Sequence, residues 1–337
     1  MPDPDSKNVV VLTSTNVEHH LTLRLRVLLM QPYLEARNYK IDIVQIPRAK
    51  AGRRELFATL SGYDLVWIHR QTFHFYELRW VARISPNIVF DFDDPVGYSS
   101  SKFANFSLKR WLKFRATVRA AKAVLAASPG LVDLASRWND NVHYIPLCAE
   151  PEKYSMCVTP RAADEPLRLL WIGGRSTFKY LEACRSALEA IGLACANVEL
   201  VVVGHAELYL QHLKVTNLKW SVAVETEQLA RCHVGLVPQS DDRWTRAKAS
   251  LKPLQYLASG LPFIGNPVGV VKGFSQGGTN GFLASADQEW VSAVRKLAED
   301  EALRIRMAQS GIDYVQRVHS ADVLAPKVEA AFQTVLA

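Results

Sequence analysis

The sequence lacks any long apolar run. No hydrophobic stretch approaches the ~20 residues of a membrane-spanning helix, and the polar start, Met1 to Lys7, has no apolar core of a secretory signal. Cysteine is scarce and scattered without metal-ligand spacing, and no His-Glu-x-x-His motif occurs. The five cysteines are Cys148, Cys157, Cys184, Cys195 and Cys232. These absences predict a cytoplasmic protein with reduced cysteines and no metal site.

Acidic residues are missing between Ser100 and Lys122, although the whole chain carries a net charge of only +7. The basic residues there are Lys102, Lys109, Arg110, Lys113, Arg115, Arg119 and Lys122, with Phe103, Phe106, Trp111 and Phe114 interleaved. Such a segment fits an anionic membrane surface, here the inner face of the membrane, or the solvated side of an ordinary surface helix. Nucleic acid is disfavoured, because nothing else in the chain supports it.

Strands alternate with helices twice along the 337 residues. The predicted strands are 9–13, 41–46, 64–69, 87–92, 124–127 and 142–145, then 167–173, 198–203, 233–237 and 261–264. The predicted helices are 21–36, 53–60, 73–83, 104–121, 130–137, 177–191, 224–232, 250–260, 288–298, 301–318 and 321–336, with a glycine-rich loop at 276–283. This alternation predicts α/β architecture with parallel sheets.

A segment without periodicity, 146–166, separates the two halves and is interpreted as a linker. We therefore expect two Rossmann-like, doubly wound domains that face each other across a cleft, residues 1–150 and 167–320. The helix 321–337 is expected to cross back to the N-terminal domain. In open α/β folds, ligands bind outside the carboxyl ends of the strands.

The stretch from Ser240 to Gly260 is the first candidate anion site. Pro253 is tolerated only in the first turn of a helix, which places the helix start near Ser250. The cations Arg243, Arg246, Lys248 and Lys252 then crowd the positive end of the helix macrodipole. A bound anion would offset that repulsion. Lys252 and Gln255 share a helix face, because they are three residues apart.

A second candidate is the strand-to-helix junction Gly173-Gly174-Arg175-Ser176-Thr177-x-Lys179. Two glycines let the backbone approach a phosphate, and Ser176 is the expected helix N-cap. The motif matches neither the P-loop nor Gly-x-Gly-x-x-Gly. With Lys248 and Lys252 on the same sheet edge, it predicts a diphosphate site.

Carboxylates end one strand of the first half: Asp91, Asp93 and Asp94. They could bind a metal, act as a base or orient sugar hydroxyls, and at least one is expected only to cap a turn. Arg24, His20 and His69 lie near other strand ends. For each histidine the structural role is the more common one, and an acceptor contact is the alternative.

The chain resembles retaining glycosyltransferases of the GT-B fold, glycosyl transferases group 1. The resemblance rests on Val234-Gly235-Leu236-Val237-Pro238 through Gln255-Tyr256-Leu257-Ala258-Ser259-Gly260-Leu261-Pro262, on Asn280-Gly281-Phe282-Leu283 and on Trp171 to Leu181. It implies a nucleotide-sugar donor on the C-terminal domain and an acceptor on the N-terminal one. By resemblance, Gln255 stands where a glutamate binds ribose, Ala247 where a glutamate touches the donor sugar, and Asp93 where many members carry a histidine.

The resemblance implies transfer of a sugar from a UDP- or GDP-sugar to a glycan or lipid-linked acceptor in polysaccharide biosynthesis, without cofactor or metal. Because Ala247 and Gln255 depart from the motif, a non-catalytic nucleotide-sugar-binding or scaffolding protein is the alternative, and a nucleotide-sugar epimerase a third. The expected catalytic residues are Arg175, Lys179, Lys252 and Asp93. The expected donor contacts are Gly173, Gly174, Ser176, Thr177, Arg246, Lys248 and Gln255, and the acceptor contacts are Arg24, His20, His69 and Asp94.

Overall fold

The computed structural model describes residues 6–14, 21–98, 107–149, 161 and 164–337. The chain forms two compact units. The first comprises Met1–Cys148, Ala247–Ala249 and His319–Ala337, and the second comprises Ala149–Arg246 and Ser250–Val318.

The first unit contains a six-stranded parallel sheet in the order β2-β1-β3-β4-β5-β6. Its strands are β1 (Lys7–Thr13), β2 (Tyr39–Gln45), β3 (Leu65–His69), β4 (Ile88–Phe92), β5 (Ala123–Ala126) and β6 (Val142–Tyr144). Every residue of β3, β4 and β5 is buried. Apart from His69 and Asp91 these strands are apolar, because helices cover both faces of a parallel sheet.

The helices of the first half are α1 (Leu21–Leu23), a π-helical turn (Arg24–Leu28), α2 (Gln31–Glu35), α3 (Lys50–Thr59), α4 (Phe75–Ile84), α5 (Leu108–Ala120) and α6 (Pro129–Ala135). The prediction of one helix over 21–36 was wrong. Pro32 lies in the first turn of α2, where its missing N–H costs nothing, so a new helix has to begin there. The start of the predicted basic helix, 104–106, lies outside the described residues.

The second unit contains another six-stranded parallel sheet, in the order β12-β11-β10-β7-β8-β9. Its strands are β7 (Leu167–Gly173), β8 (Val198–Gly204), β9 (Lys214–Lys219), β10 (Val234–Val237), β11 (Phe263–Gly265) and β12 (Gly281–Leu283). Its helices are α7 (Arg175–Ala183), α8 (Arg185–Ala194), α9 (Val222–Arg231), α10 (Arg243–Ala247), α11 (Leu251–Ala258), α12 (Val271–Ser275), α13 (Asp287–Glu299) and α14 (Glu301–His319).

The sequence analysis did not predict the two edge strands of this sheet, β9 and β12. The β9 segment has polar ends and only partly buried residues between them, so it carries little apolar signal. The β12 segment lies inside the predicted glycine-rich loop, and its Gly281 is required because a Cβ there would stand 2.5 Å from the carbonyl oxygen of Phe263. The predicted helix 177–191 begins two residues earlier and divides at Cys184.

The last helix, α15 (Ala321–Leu336), packs in the core of the first unit. Phe332 meets Trp67 of β3 edge to face, with ring centroids 5.2 Å apart. Such a pair adds roughly 0.5–1.5 kcal/mol beyond the burial of its area. The first unit therefore completes its core with residues from the end of the chain.

Candidate functional site

The strand-to-helix turn of the second unit is built from two glycines with different roles. A Cβ on Gly173 would stand 2.5 and 2.6 Å from ring carbons of Trp171, so only glycine fits there. Gly174 faces open space and is the N-cap of α7, with φ −83°. The backbone at Gly174 can therefore be approached closely from outside.

Side chains at the start of α7 face solvent. Arg175 and Ser176 are exposed, and no side chain caps this helix. The expectation that Ser176 is the N-cap was wrong, because the helix starts one residue before it. Thr177 donates a hydrogen bond from its hydroxyl to the carbonyl oxygen of Gly174 at 3.0 Å, and the Lys179 ammonium lies 4.9 Å from the Tyr180 ring centroid.

Lys252 lies close to this turn, although 78 residues separate it from Gly174. Its ammonium is 5.3 Å from the centroid of the Trp171 ring, the same ring that closes against Gly173. Pro253 follows in the first turn of α11, as predicted, and Ser250 precedes the helix with φ 54°. The helix has no acidic residue in its first turn and no side-chain cap. The turn and the start of α11 thus offer backbone amides and cations to an anion.

Gln255 is buried in α11 and donates its amide N–H to Glu225 of α9 at 2.7 Å. Trp220 donates its indole N–H to the other oxygen of the same carboxylate at 2.6 Å. Neither Glu225 nor Trp220 was a predicted site residue. No local motif marks them: Trp220 and Glu225 lie five residues apart at the start of α9, and Gln255 lies 30 residues further along the chain.

Two predicted donor cations have acidic partners. Arg246 forms a two-pronged ion pair with Asp241 at 2.5 and 2.9 Å, on the surface of the second unit. Lys248 belongs to the first unit, where its charge acts on Asp94. The predicted phosphate cations at the starts of α7 and α11 are Arg175, Lys179 and Lys252.

The carboxylates after β4 are paired with arginines. Arg26 binds Asp91 through two of its guanidinium nitrogens, at 2.5 and 2.9 Å, and both side chains are fully buried. Arg70 bridges the other two acids, 3.1 Å from Asp93 and 2.6 Å from Asp94. Burial raises the pKa of Asp91 and of Asp93, and the guanidinium groups oppose this.

Asp94 is the most accessible of the three acids. Burial and the neighbouring Asp93 carboxylate raise the pKa of Asp94 to about 6, against the opposing charges of Arg70 and Lys248. Arg70 was missed in the sequence, where nothing marks it. It directly follows β3 and adopts φ 60°, and its backbone N–H donates to the carbonyl oxygen of Asp91.

The remaining acceptor candidates differ in placement. His69 is fully buried, with Nδ1 3.4 Å from the Thr13 hydroxyl, and Arg24 is half-buried at the start of the π-helical turn. His20 lies outside the described residues.

Residues Ala247–Ala249 are bound to the first unit by their backbone. The Ser128 hydroxyl donates to the carbonyl oxygen of Ala247. The backbone N–H of Ala249 donates to the backbone carbonyl oxygen of Asp93 at 3.0 Å. The buried methyl group of Ala247 replaces a carboxylate that the resemblance would place there.

An apolar and basic surface lies on α4 and α5, which pack together. We call it the α4–α5 surface; its exposed members are Phe75, Tyr76, Leu108, Lys109, Arg110 and Leu112. Phe75 is 70% exposed and Leu108 61%. Lys113, half-buried beside them, has its pKa lowered by burial and by Lys109.

The described residues contain no group of three or more His, Cys, Asp or Glu side chains that could hold a metal ion. None of the described helices combines the length and the apolar character that crossing a bilayer requires.

Comparison with known proteins finds a family match within the second unit. Residues 166–300 match the family model of glycosyl transferases group 1. A comparison with curated proteins finds no match.

Three solved structures resemble the chain over nearly its whole length. Sucrose-phosphate synthase from Thermosynechococcus elongatus has a TM-score of 0.71 at 15% identity, covering 98% of this chain and 99% of the other. Anabaena HepE, solved with UDP and glucose, has a TM-score of 0.70 at 14% identity, with 97% and 100% covered. A glycosyltransferase from Rickettsia africae has a TM-score of 0.71 at 10% identity, with 98% and 99% covered.

Likeness at such low identity establishes the fold. It confirms the predicted α/β class with two Rossmann-like units, and the family match confirms the resemblance in the second of them. The chain therefore has the GT-B fold, and its residues 166–300 match the glycosyl transferases group 1 family.

Proposed function

We propose that this protein is a glycosyltransferase that moves a sugar from a UDP- or GDP-sugar to a glycan or lipid-linked acceptor, with retention of configuration, in polysaccharide biosynthesis. The observation that carries the proposal is the turn at Gly173-Gly174. An open glycine caps α7 there, and Trp171 brings Lys252 of a second helix start to the same turn. Helix N-termini and lysines together suit a diphosphate.

The cations supply the catalysis in this proposal. The bond between the sugar carbon and the diphosphate oxygen breaks while a bond to the acceptor oxygen forms. Arg175, Lys179 and Lys252 stabilise the negative charge that builds on the departing diphosphate. The diphosphate takes the proton of the acceptor hydroxyl and leaves as the nucleoside diphosphate. No metal ion or cofactor has a step in this scheme.

The acids after β4 form the acceptor side of the proposal. Asp93 is nearly buried and bridged by Arg70 to the more accessible Asp94. A carboxylate held by a guanidinium group keeps lone pairs that can accept from sugar hydroxyls. We assign Asp93 and Asp94 to orienting the acceptor, with Arg24, His20 and His69 as further contacts.

HepE was solved with UDP-glucose as well as with UDP. That likeness favours UDP over GDP as the nucleotide. The other residues that we propose for the donor site are Gly173, Gly174, Ser176, Thr177, Arg246, Lys248 and Gln255.

The second candidate function is a non-catalytic nucleotide-sugar-binding protein. It is favoured by Ala247, whose buried methyl group offers a donor sugar no hydrogen bond.

Incubation of the purified chain with radiolabelled UDP- and GDP-sugars and a panel of glycan and lipid-linked acceptors tests both functions. Transfer, or slow hydrolysis of a donor, establishes the enzyme. Binding of a donor with neither reaction indicates the non-catalytic function. Absence of binding to every donor would remove both.

We also propose that the α4–α5 surface contacts an anionic membrane, which would place the protein in the cytoplasm at the inner face of the membrane. The surface joins exposed apolar side chains to lysine and arginine, the combination that interfacial helices use. Residues 100–106 of the predicted segment 100–122 lie outside the described residues.

A further inference from the structure

Three strands of the second unit end side by side. Gly173, Gly204 and Lys219 are paired across β7, β8 and β9. Neighbouring strands lie about 4.8 Å apart, so the residues that follow these ends occupy roughly 10 Å of one sheet edge. His205 follows β8 and Trp220 follows β9, beside the glycine turn after β7.

His205 and Trp220 form an accessible aromatic pair on this edge. Their ring centroids are 6.3 Å apart and the rings are tilted by 54°. His205 is exposed, and Trp220 remains 40% exposed although its indole N–H is hydrogen-bonded. An exposed aromatic surface of this kind is suited to a flat, partly polar ring, because aromatic rings stack face to face in offset geometry.

Glu225 lies next to that pair, in the first turns of α9. Its two carboxylate oxygens accept from Trp220 and from Gln255, which fixes the orientation of the group. A carboxylate has about four lone-pair positions, so two such bonds leave room for two further donors. Two adjacent hydroxyl groups are donors with the matching spacing.

Hydrogen bonds and packing connect this edge to the Gly173-Gly174 turn between β7 and α7. Tyr256, the neighbour of Gln255 in α11, accepts a hydrogen bond from the backbone N–H of Ile172 at 3.1 Å, just before the end of β7. Lys252 stands one helical turn before Gln255 and approaches Trp171. Aromatic rings, a carboxylate, cations and an open glycine turn therefore follow one another along the sheet edge.

We propose that Glu225 binds the ribose diol of the donor and that Trp220 and His205 contact its base. Gln255, the ribose contact implied by the resemblance, acts here as a positioning residue: it holds Glu225, which carries the carboxylate. The ligand class is a ribonucleoside diphosphate. This inference rests on the proposed function and assigns three binding residues to it.

Calorimetry with UDP, 2′-deoxy-UDP and pyrophosphate tests the assignment. The chain should bind UDP about 10- to 100-fold more tightly than 2′-deoxy-UDP, the worth of a hydrogen bond to a charged group. The Glu225→Ala substitution should weaken UDP binding by a similar factor, and the variant should bind UDP and 2′-deoxy-UDP equally. Pyrophosphate affinity should stay unchanged, because its contacts are the cations. Glu227→Gln, an exposed change on the same helix, is the matched control.

A carboxylate–amide exchange separates the chemistry from the fold. In the double variant Glu225→Gln with Gln255→Glu the two groups trade places, so preference for UDP over 2′-deoxy-UDP should return in part. The Trp220→Ala substitution should weaken UDP binding about 5- to 150-fold, which is the effect of losing one base-stacking contact. Pyrophosphate binding should not change. Thermal melting checks that each variant is folded.

The outcomes are distinguishable. Equal binding of UDP and 2′-deoxy-UDP by the unaltered chain, or an unchanged preference in Glu225→Ala, overturns the assignment while leaving the glycosyltransferase proposal standing. Failure of UDP, GDP and pyrophosphate alike to bind overturns both.

Discussion

The ammonium group of Lys252 lies 5.3 Å from the centroid of Trp171, and the far edge of that indole closes against Gly173. One aromatic ring thereby links the start of α11 to the turn between β7 and α7. This relationship places a cation beside a glycine turn without any local sequence signal that joins them.

Lys252→Ala should weaken UDP binding by about 1.5–3 kcal/mol, the worth of a charge-assisted hydrogen bond. Lys296→Ala is the matched control, since Lys296 also lies over an aromatic ring, 5.2 Å from the Phe282 centroid, and belongs to α13. Calorimetric titration measures both. Equal affinity in Lys252→Ala and the unaltered chain would refute the phosphate assignment.

The two glycines of the turn should respond differently to alanine. Gly173→Ala would drive a methyl group into Trp171 and should destabilise the protein by about 1–3 kcal/mol, as overpacking does. Gly174→Ala meets open space at a negative φ, and its gain of about 0.4–1 kcal/mol from the unfolded state is offset by the poor capping of alanine at this N-cap, so stability should change by less than about 1 kcal/mol.

For nucleotide binding, Gly174→Ala is the informative substitution. The Gly174→Ala methyl group would stand where the backbone is open to an anion, so UDP affinity should fall although the fold is intact. Urea unfolding and calorimetry of both variants test this. A Gly174→Ala variant with undiminished UDP affinity would place the diphosphate elsewhere.

Asp94 should make stability depend on pH. Its pKa is raised to about 6 in the folded chain, above the usual value for a carboxyl, so the folded state binds its proton more tightly than the unfolded state does. The stabilisation is present at low pH and is lost as the pH rises from about 4 to about 6.

Asp94→Asn removes this titration. The variant should gain on the order of 2 kcal/mol relative to the unaltered chain between pH 4 and pH 7. Urea unfolding at both pH values measures the difference, and Asp133→Asn, on the surface of α6, is the control. A stability difference that does not vary with pH would contradict the raised pKa.

The α4–α5 surface should retain the protein on liposomes that contain anionic lipid. Changing Lys109, Arg110 and Lys113 together to Glu should release it, because each basic residue near such a surface contributes about 1 kcal/mol. Co-sedimentation at rising salt measures binding. Equal retention on neutral liposomes would contradict an electrostatic contribution to membrane binding. The double variant Leu108→Ser with Leu112→Ser tests the apolar contribution separately.

Several site residues could be predicted because their signal is local. The pair Gly173-Gly174 between an apolar run and a helical pattern marks a strand-to-helix turn, and Pro253 marks the first turn of α11. Such signals depend on a few neighbouring residues. The predicted N-cap Ser176 was wrong by two residues, because Gly174 occupies the N-cap position and no side chain caps the helix.

Long-range pairing could not be predicted in the same way. No pattern in the sequence pairs Arg26 with Asp91, or Arg70 with Asp93 and Asp94, as the structure does. Arg70 can pair with the aspartates only because the sheet places the end of β3 beside the end of β4. Lys248 was assigned to the donor site by its spacing in sequence, and the fold counts it with the first unit.

The sequence by itself determined the α/β class, since its alternating apolar runs have to be buried in parallel sheets covered by helices. It also determined the glycine turn after β7, since steric exclusion at Gly173 acts over a few residues. Only the tertiary structure decided that Glu225 meets Gln255, and that Lys252 reaches Trp171. Those contacts arise where separate strands end together at one edge, and their energies depend on distances that the order of residues does not contain.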